Sequence, residues 1–228
     1  MSEPNVAVLI DYENVSVNTF ASLFDQISDV GRVIVKRAYA DWSRASQKSR
    51  EQLQELGIEA IQNFHAKGSA KNSSDIRMAI DAVELLYISS VDTFVIVSAD
   101  SDFVPLVNKL RAGGKGVIGS GREDVVSQTL VKSCDRYIFL DKAGTFTKNM
   151  DGAVLEAAQQ VLLRALRASS DEEGKVVGSK LYQNMLRIDP SFDFNSLGFR
   201  NFSHFLRDSP NVKVSKPGRG RDVVVEET

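Results

Sequence analysis

Short runs of consecutive apolar residues alternate along the first 140 residues with segments whose apolar residues recur every three or four positions. The first run is VAVLI at 6–10, and apolar residues at helical spacing follow it. Short apolar runs are typical of strands buried on both faces, and the longer spacing is typical of amphipathic helices. We therefore predict strands at 6–10, 31–39, 58–64, 94–97, just after the turn at 113–119, and at 136–140, with helices at 17–28, 47–56, 74–89, 103–110 and 124–132.

The alternation of strands with helices predicts a parallel α/β sheet that is covered by helices on both sides. Ligands of such sheets bind beyond the carboxyl ends of the strands. The helix at 74–89 is predicted from the spacing of Ile76, Ile80, Val83 and Tyr87.

The pattern changes after residue 141, where Gly, Thr, Lys and Asp replace the periodic apolar residues. We interpret 1–141 as one domain, 142–152 as a linker and 153–228 as a second domain. The second domain shows three helical patterns followed by two β-rich runs that flank the basic segment KPGRGR. Three short helices and a hairpin predict a small winged-helix domain.

The composition is ordinary for a soluble globular protein, with 228 residues, of which 43% are hydrophobic and 25% are charged. No apolar run approaches the roughly 18 residues of a membrane helix, and the first residues lack the basic segment of a signal peptide. The single cysteine, Cys134, excludes internal disulfides and cysteine-rich zinc sites, so we expect a cytoplasmic protein without a membrane partner. The net charge of −2 argues neither for nor against nucleic acid.

Acidic residues stand at the predicted ends of two strands and at the start of one helix. Asp11 ends the first strand, Asp75 opens the third helix, and Asp100 and Asp102 follow the fourth strand. Two carboxylates ~4 Å apart repel each other by ~4 kcal/mol at an effective dielectric of ~20, so a cluster stays ionised mainly beside a cation. Such oxygen ligands select Mg²⁺ or Mn²⁺, which can polarise a phosphate and activate water. Asn14 could orient a metal-bound water or a phosphate.

Each acid also has a structural interpretation. Asp and Ser before an apolar helix are more often N-caps than ligands, which applies to Asp102 and to residues 73–75. Asp11 and Asp100 are harder to explain in this way, because equivalent strand ends lie side by side in a parallel sheet. Asp81 follows Asp75 by six residues, about 240° around a helix, so these two side chains cannot share a face.

Basic residues near the acids are candidates for phosphate contacts. His65, Lys67 and Lys71 lie in a glycine-bearing loop and Arg77 follows it, although a solvated loop is the alternative. Trp42 could stack on a base, but a single tryptophan more often packs in a core. On the predicted C-terminal helix face and wing, the candidates for RNA contact are Arg200, His204, Lys213, Lys216, Arg219 and Arg221. The alternative for the wing is a solubilising hairpin tip.

The segments LIDYENV, KNSSDIRMAIDA and VIVSADSDFVPL, in this order and spacing, resemble the motifs of NYN domains, a branch of the PIN-like nuclease superfamily. The resemblance covers about 5–140 and implies a three-layer α/β/α sandwich, a divalent metal and hydrolysis of RNA phosphodiesters. It implies metal and catalytic roles for Asp11, Asp75, Asp100 and Asp102, with Asn14 beside them. The second motif often begins Lys-Gly in this family, whereas Asn72 follows the lysine here. A haloacid-dehalogenase-type phosphatase is disfavoured because Glu13, not Asp, follows two residues after Asp11.

The segment VGSKLYQNMLRIDPSFDFNSLGFRNFSHFLRDSPNVKV is similar to the OST-HTH or LOTUS domain, over about 152–226. This resemblance implies RNA binding, with structured or guanine-rich RNA as a preference to test, and in some members a protein partner such as a helicase. Together the two domains predict a Mg²⁺- or Mn²⁺-dependent ribonuclease that captures RNA through its winged helix. The alternatives are a regulatory RNA-binding protein with little turnover and a protein-interaction adaptor.

Overall fold

The chain forms two compact units in the computed structural model, Met1–Asp141 and Lys142–Thr228. The structure describes residues 3–15, 19–28, 30–43, 45–64, 72–140, 152–215 and 222–228, with the backbone alone for residues 14, 152 and 153. Each unit has a hydrophobic core of its own. Within these ranges, no helix combines the length and apolar character that crossing a bilayer requires.

The first unit is built on a six-stranded sheet in which every neighbouring pair of strands is parallel. Its strands are β1 (Asn5–Asp11), β2 (Arg32–Ala40), β3 (Glu59–Gln62), β4 (Thr93–Val97), β5 (Gly116–Gly121) and β6 (Arg136–Phe139). Their order across the sheet is β3-β2-β1-β4-β5-β6. The helices between them are α1 (Phe20–Ile27), α2 (Gln47–Glu55), α3 (Ser73–Ile88), α4 (Val104–Ala112) and α5 (Gln128–Ser133).

The central strand β1 is apolar on both sides because a helical layer covers each face of the sheet. Ala7 and Leu9 belong to a core shared with α3, α4 and α5. Val6, Val8 and Ile10 alternate with them and join a second core shared with α1 and α2. The three-layer α/β/α sandwich with a parallel sheet is therefore confirmed.

Several element boundaries differ from the prediction made from the sequence. Strand β5 begins at Gly116, inside the segment 113–119 that was predicted as a turn. The last helix of this unit begins at Gln128 and not near residue 124, because Ser127 caps it by accepting a hydrogen bond from the backbone N–H of Thr129. The third strand is shorter than the predicted 58–64 and pairs only over Glu59–Gln62.

Helix α3 forms where its apolar spacing predicts, but that spacing marks its outer side. The side chains that pack on the sheet include Met78, Ala82, Leu85 and Leu86. The residues that predict the helix point the other way: Ile76, Ile80 and Tyr87 are 60%, 58% and 68% exposed, and Val83 is partly buried. The helix thus has two apolar faces, and the sheet covers only one of them.

The second unit combines three helices with a small antiparallel sheet. Its elements are α6 (Gly152–Ser169), β7 (Lys175–Val177), α7 (Gly178–Ile188), α8 (Phe202–Asp208), β8 (Val212–Ser215) and β9 (Val224–Glu227). The sheet order is β7-β9-β8, so the predicted hairpin gains a third strand. Phe205, Leu206, Leu181 and Val225 are fully buried between the helices and this sheet. This arrangement confirms the predicted winged-helix fold.

Candidate functional site

The site lies where the strand order of the large sheet reverses direction. Strands β2 and β3 extend the sheet on one side of β1, whereas β4, β5 and β6 extend it on the other. In open α/β sheets this point leaves a crevice at the carboxyl ends of the two central strands, where ligands bind. Asp11 is the last residue of β1, and Ile10 pairs with Val97 in β4, so Asp11 lies beside Ser98.

Ser98 links the two central strand ends through its hydroxyl group. Its Oγ donates a hydrogen bond to Asp11 Oδ2 (2.8 Å) and accepts one from the backbone N–H of Asp100 (3.1 Å). Tyr137 on β6 donates its hydroxyl to the Ser98 carbonyl oxygen (2.9 Å). Ser98 and Asp11 are both almost fully buried, which fixes the position of the Asp11 carboxylate. The sequence offers one signal for Ser98, a polar residue that ends an apolar strand directly before the acids.

Asp100 and Asp102 lie on a short 3₁₀ helix, Ser101–Phe103, that leads from β4 into α4. Asp100 is the N-cap of this turn, since its Oδ1 accepts a hydrogen bond from the backbone N–H of Asp102 (2.9 Å). The capping role that the sequence offered for Asp102 therefore belongs to Asp100. The Asp102 side chain is exposed at the same turn.

Asp75 lies in the first turn of α3 and faces the acids of the two strand ends. The pKa of its carboxyl group is raised to about 6, first by partial burial and then by the negative charges of Asp11, Asp100, Glu13 and Asp102. These five side chains, the acidic cluster, come from β1 and the turn after it, from α3 and from the turn after β4. The structure thus brings together the predicted acids Asp11, Asp75, Asp100 and Asp102. Glu13 is an addition that the sequence did not single out.

The acidic cluster suits a hard divalent cation in the chemistry of its donors. All of its side chains offer carboxylate oxygens. Partial burial and, after it, the neighbouring negative charges raise the pKa of Asp75, and a cation would relieve the repulsion between these charges. Over the described parts of the chain, no three His, Cys, Asp or Glu side chains stand close enough together to hold a metal ion as they are. The carboxylates would therefore have to draw closer on binding.

Asn14 follows at the end of the 3₁₀ helix Tyr12–Asn14, which continues directly from Asp11. Its backbone is next to the acidic cluster, and its side chain lies outside the part that the structure describes. The predicted RNA contacts Lys67 and Lys71, together with His65, also lie outside the described residues.

Asp81 belongs to a buried polar network on the side of α3 that faces the sheet. Its two oxygens accept hydrogen bonds from Tyr39 Oη and Arg77 Nε, each at 3.0 Å, and the Arg37 guanidinium lies 3.5 Å away. Burial and the adjacent Asp81 charge raise the pKa of Tyr39 well above its usual range. Arg77, a predicted phosphate contact, joins this network through its Nε atom. Its side chain is half exposed.

Trp42 packs in the core on the opposite side of the sheet. Its side chain is buried, its indole N–H donates to the Ile61 carbonyl oxygen (2.9 Å), and its ring lies 4.6 Å from that of Tyr12. These contacts match the packing interpretation of this residue.

In the winged-helix unit, Arg200 and His204 lie at the start of α8 and both are exposed. His204 Nδ1 accepts from the backbone N–H of Arg200 (3.4 Å), and its Nε2 lies 3.5 Å from Asp208 Oδ2. Lys213 on β8 forms an ion pair with Glu226 on β9 (3.1 Å). The three remaining predicted contacts, Lys216, Arg219 and Arg221, lie outside the described residues.

Comparisons with known proteins agree with this architecture. The sequence matches the NYN domain over residues 5–141 and the OST-HTH/LOTUS domain over residues 153–224. An uncharacterised protein of Methanocaldococcus jannaschii is 34% identical over 142 residues, which cover 60% of this chain and 55% of that protein. This chain therefore spans about half the length of that relative.

A solved structure supports the same fold. The crystal structure of a Vibrio parahaemolyticus protein of unknown function superimposes with a TM-score of 0.53 and 25% identity, covering 60% of this chain and 93% of that one. The NYN match extends over more than half of the chain and includes all members of the acidic cluster. The chain therefore belongs to the NYN-domain family of the PIN-like nuclease superfamily, with an OST-HTH/LOTUS domain following the NYN domain.

Proposed function

We propose that the protein is a Mg²⁺- or Mn²⁺-dependent ribonuclease that hydrolyses RNA phosphodiesters at the acidic cluster. The observation that carries the proposal is the meeting of Asp11, Asp75 and Asp100 at the strand-order reversal of the sheet. Family membership adds RNase-like RNA binding as the context for these acids. Carboxylates that interact electrostatically at a ligand crevice favour a function beyond helix capping.

In this proposal some residues of the chain would bind the metal ion, and others would position the residues that bind it. Asp11, Asp75, Asp100 and Asp102 would hold the ion, and Ser98 would keep Asp11 oriented through its hydrogen bond. When bound, such an ion polarises the phosphate and makes water a stronger nucleophile. The Asp75 carboxyl would take part only in its ionised form, because a protonated carboxyl is a poor metal ligand.

The winged-helix unit would capture the RNA by contacts to its phosphates. Arg200 at the start of α8 and Lys213 on β8 are exposed side chains of the predicted RNA-binding set. Replacing Arg200 by Ala should weaken RNA binding several-fold and reduce its salt dependence by about one phosphate contact. Arg167→Ala is the matched control, because Glu227 already compensates its guanidinium. Equal losses in both variants, measured by fluorescence anisotropy, would argue against this surface.

The test of catalysis compares two substitutions at opposite ends of β4. Asp100→Asn should abolish cleavage of single-stranded and hairpin RNA in Mn²⁺, weaken Mn²⁺ binding measured by calorimetry, and leave RNA binding unchanged. Asp92→Asn is the control, because Asp92 precedes β4 at the far edge and accepts a backbone hydrogen bond from Asn5 that an asparagine can also accept. Full Mn²⁺-dependent activity in Asp100→Asn would contradict the site.

A second candidate function is RNA binding with little turnover. The spacing of the acids favours this second function. Within the described ranges, no three His, Cys, Asp or Glu side chains lie close enough together to coordinate one metal ion. Wild-type protein that binds RNA tightly but takes up no Mn²⁺, with or without RNA, would support this alternative over the ribonuclease.

A further inference from the structure

Helix α3 carries an apolar face that the described first unit leaves largely exposed, although the Lys109 ammonium on α4 lies over the Tyr87 ring, 5.6 Å from its centroid. This α3 outer face consists of the exposed Ile76, Ile80 and Tyr87, together with Val83, which is partly buried against the neighbouring core. At 100° per residue, these four side chains fall within a narrow sector, opposite the sector of Met78, Ala82 and Leu85 that packs on the sheet. A contiguous apolar stripe of this kind on a folded domain marks a protein contact surface.

The spacing within the α3 outer face is that of a helix that packs against another helix. Its members follow one another at intervals of four, three and four residues, the repeat of the a and d positions of a coiled coil. Arg77 and Glu84 each lie directly after a d-type position and flank one edge of the stripe. The other edge carries Ala79 and the buried Leu86.

We propose that the α3 outer face is a homodimer interface, in which α3 of two copies of the chain packs antiparallel across a twofold axis. In this register Ile76 of one copy lies against Tyr87 of the other, and Ile80 lies against Val83. A twofold axis repeats each contact, so a single stripe provides both halves of the interface.

Charge complementarity favours a second copy of the chain as the partner of the α3 outer face. It also favours antiparallel packing of the two α3 helices. Antiparallel packing places the flanking positions of like type opposite one another, so Arg77 of each copy meets Glu84 of the other, and two ion pairs form. Arg77 is half exposed, so its guanidinium can meet Glu84 while Nε stays bonded to Asp81. Parallel packing would instead set Glu84 opposite Ala79, with no ion pair, and bring together the two α3 N-termini with their Asp75 side chains.

The first test measures the mass of the full chain by sedimentation velocity across a concentration series. Wild type should dimerise, and Ile80→Asp should raise the dimer Kd at least about 30-fold, as for a buried interface anchor. Glu84→Arg should weaken the dimer less, through repulsion of Arg77. Val125→Asp is the matched control, because Val125 is equally exposed (57%) in the loop after β5, and it should leave the Kd unchanged.

A second test distinguishes direction by disulfide cross-linking. The double variant Ile76→Cys/Tyr87→Cys should form covalent dimers on mild oxidation, whereas each single variant and Ile80→Cys should form few. The native thiol, Cys134, is buried and should stay silent. Efficient cross-linking of Ile80→Cys would overturn the antiparallel arrangement.

Two outcomes overturn the proposed interface as a whole. They are a wild type that is monomeric throughout the series and a wild-type dimer that survives Ile80→Asp intact. A monomer that Ile80→Asp destabilises would assign the α3 outer face to another part of the same chain. Tryptophan fluorescence of each variant confirms that the first unit is folded, because Trp42 is its buried reporter.

Discussion

Replacing Ser98 by Ala should destabilise the first unit by more than the loss of an ordinary serine hydroxyl. The substitution removes one oxygen atom from a fully buried side chain and leaves the backbone unchanged. That oxygen donates to the Asp11 carboxylate and accepts from the Asp100 N–H. A hydrogen bond to a charged group contributes about 1.5–3 kcal/mol and one between neutral groups about 1 kcal/mol. The free energy of unfolding should therefore fall by about 2.5–4 kcal/mol.

Ser120→Ala is the control for this prediction. Ser120 is also fully buried, and its hydroxyl donates to the neutral carbonyl oxygen of Ile138 (3.1 Å), so its loss should cost about 1 kcal/mol. Urea unfolding followed by tryptophan fluorescence measures the first unit alone, because Trp42 is the single tryptophan of the chain. If Ser98→Ala lowers the free energy of unfolding no further than Ser120→Ala, the link between the two strand ends does not stabilise the site as described.

Two further predictions concern groups around the same sheet edge. Since the pKa of Asp75 is raised to about 6, protons compete with the metal ion for this carboxyl group below that pH. The Mn²⁺ affinity measured by calorimetry should therefore fall by up to about tenfold per pH unit from pH 6 to pH 5 and change little above pH 7. Equal affinities at pH 5 and pH 7.5 would exclude the Asp75 carboxyl group as a ligand. Tyr39→Phe removes a buried hydrogen bond to the Asp81 carboxylate and should lower the free energy of unfolding, measured in urea, by about 1.5–3 kcal/mol. A loss below about 0.5 kcal/mol would show that Arg77 and Arg37 satisfy the Asp81 carboxylate without the tyrosine hydroxyl.

The order of strands and helices was predictable because the central strands β1 and β4 are short apolar runs that are buried on both faces, and helical spacing follows each of them. The strand β7 was not, since three residues of mixed character at Lys175–Val177 give no periodic signal, and only pairing with β9 makes them a strand. The orientation of α3 was not predictable either. Apolar residues occupy both of its faces, so a spacing of three and four fits the sheet side and the outer side equally well.

The acids of the site were predictable in kind because Asp11 and Asp100 follow apolar strands of a parallel sheet. Their companions depend on tertiary structure. Ser98 acquires its role only through the register of β1 with β4, and Glu13 reaches the cluster only because a 3₁₀ turn follows Asp11. The distances between the carboxylates of the acidic cluster depend on the packing of the whole unit, and no sequence pattern encodes them.

The hydroxyl link between the central strands also has a consequence for biosynthesis. Ser98 and Asp11 are separated by 87 positions along the chain, and every strand between them must be made before they can meet. Contacts over such separations form late, since closing the intervening loop costs entropy before the pairing is gained. A nascent chain that has left the ribosome only as far as α3 therefore carries three of the five acids, Asp11, Glu13 and Asp75, without Asp100 and Asp102. Cation uptake by growing chains of increasing length would consequently report when β1 pairs with β4.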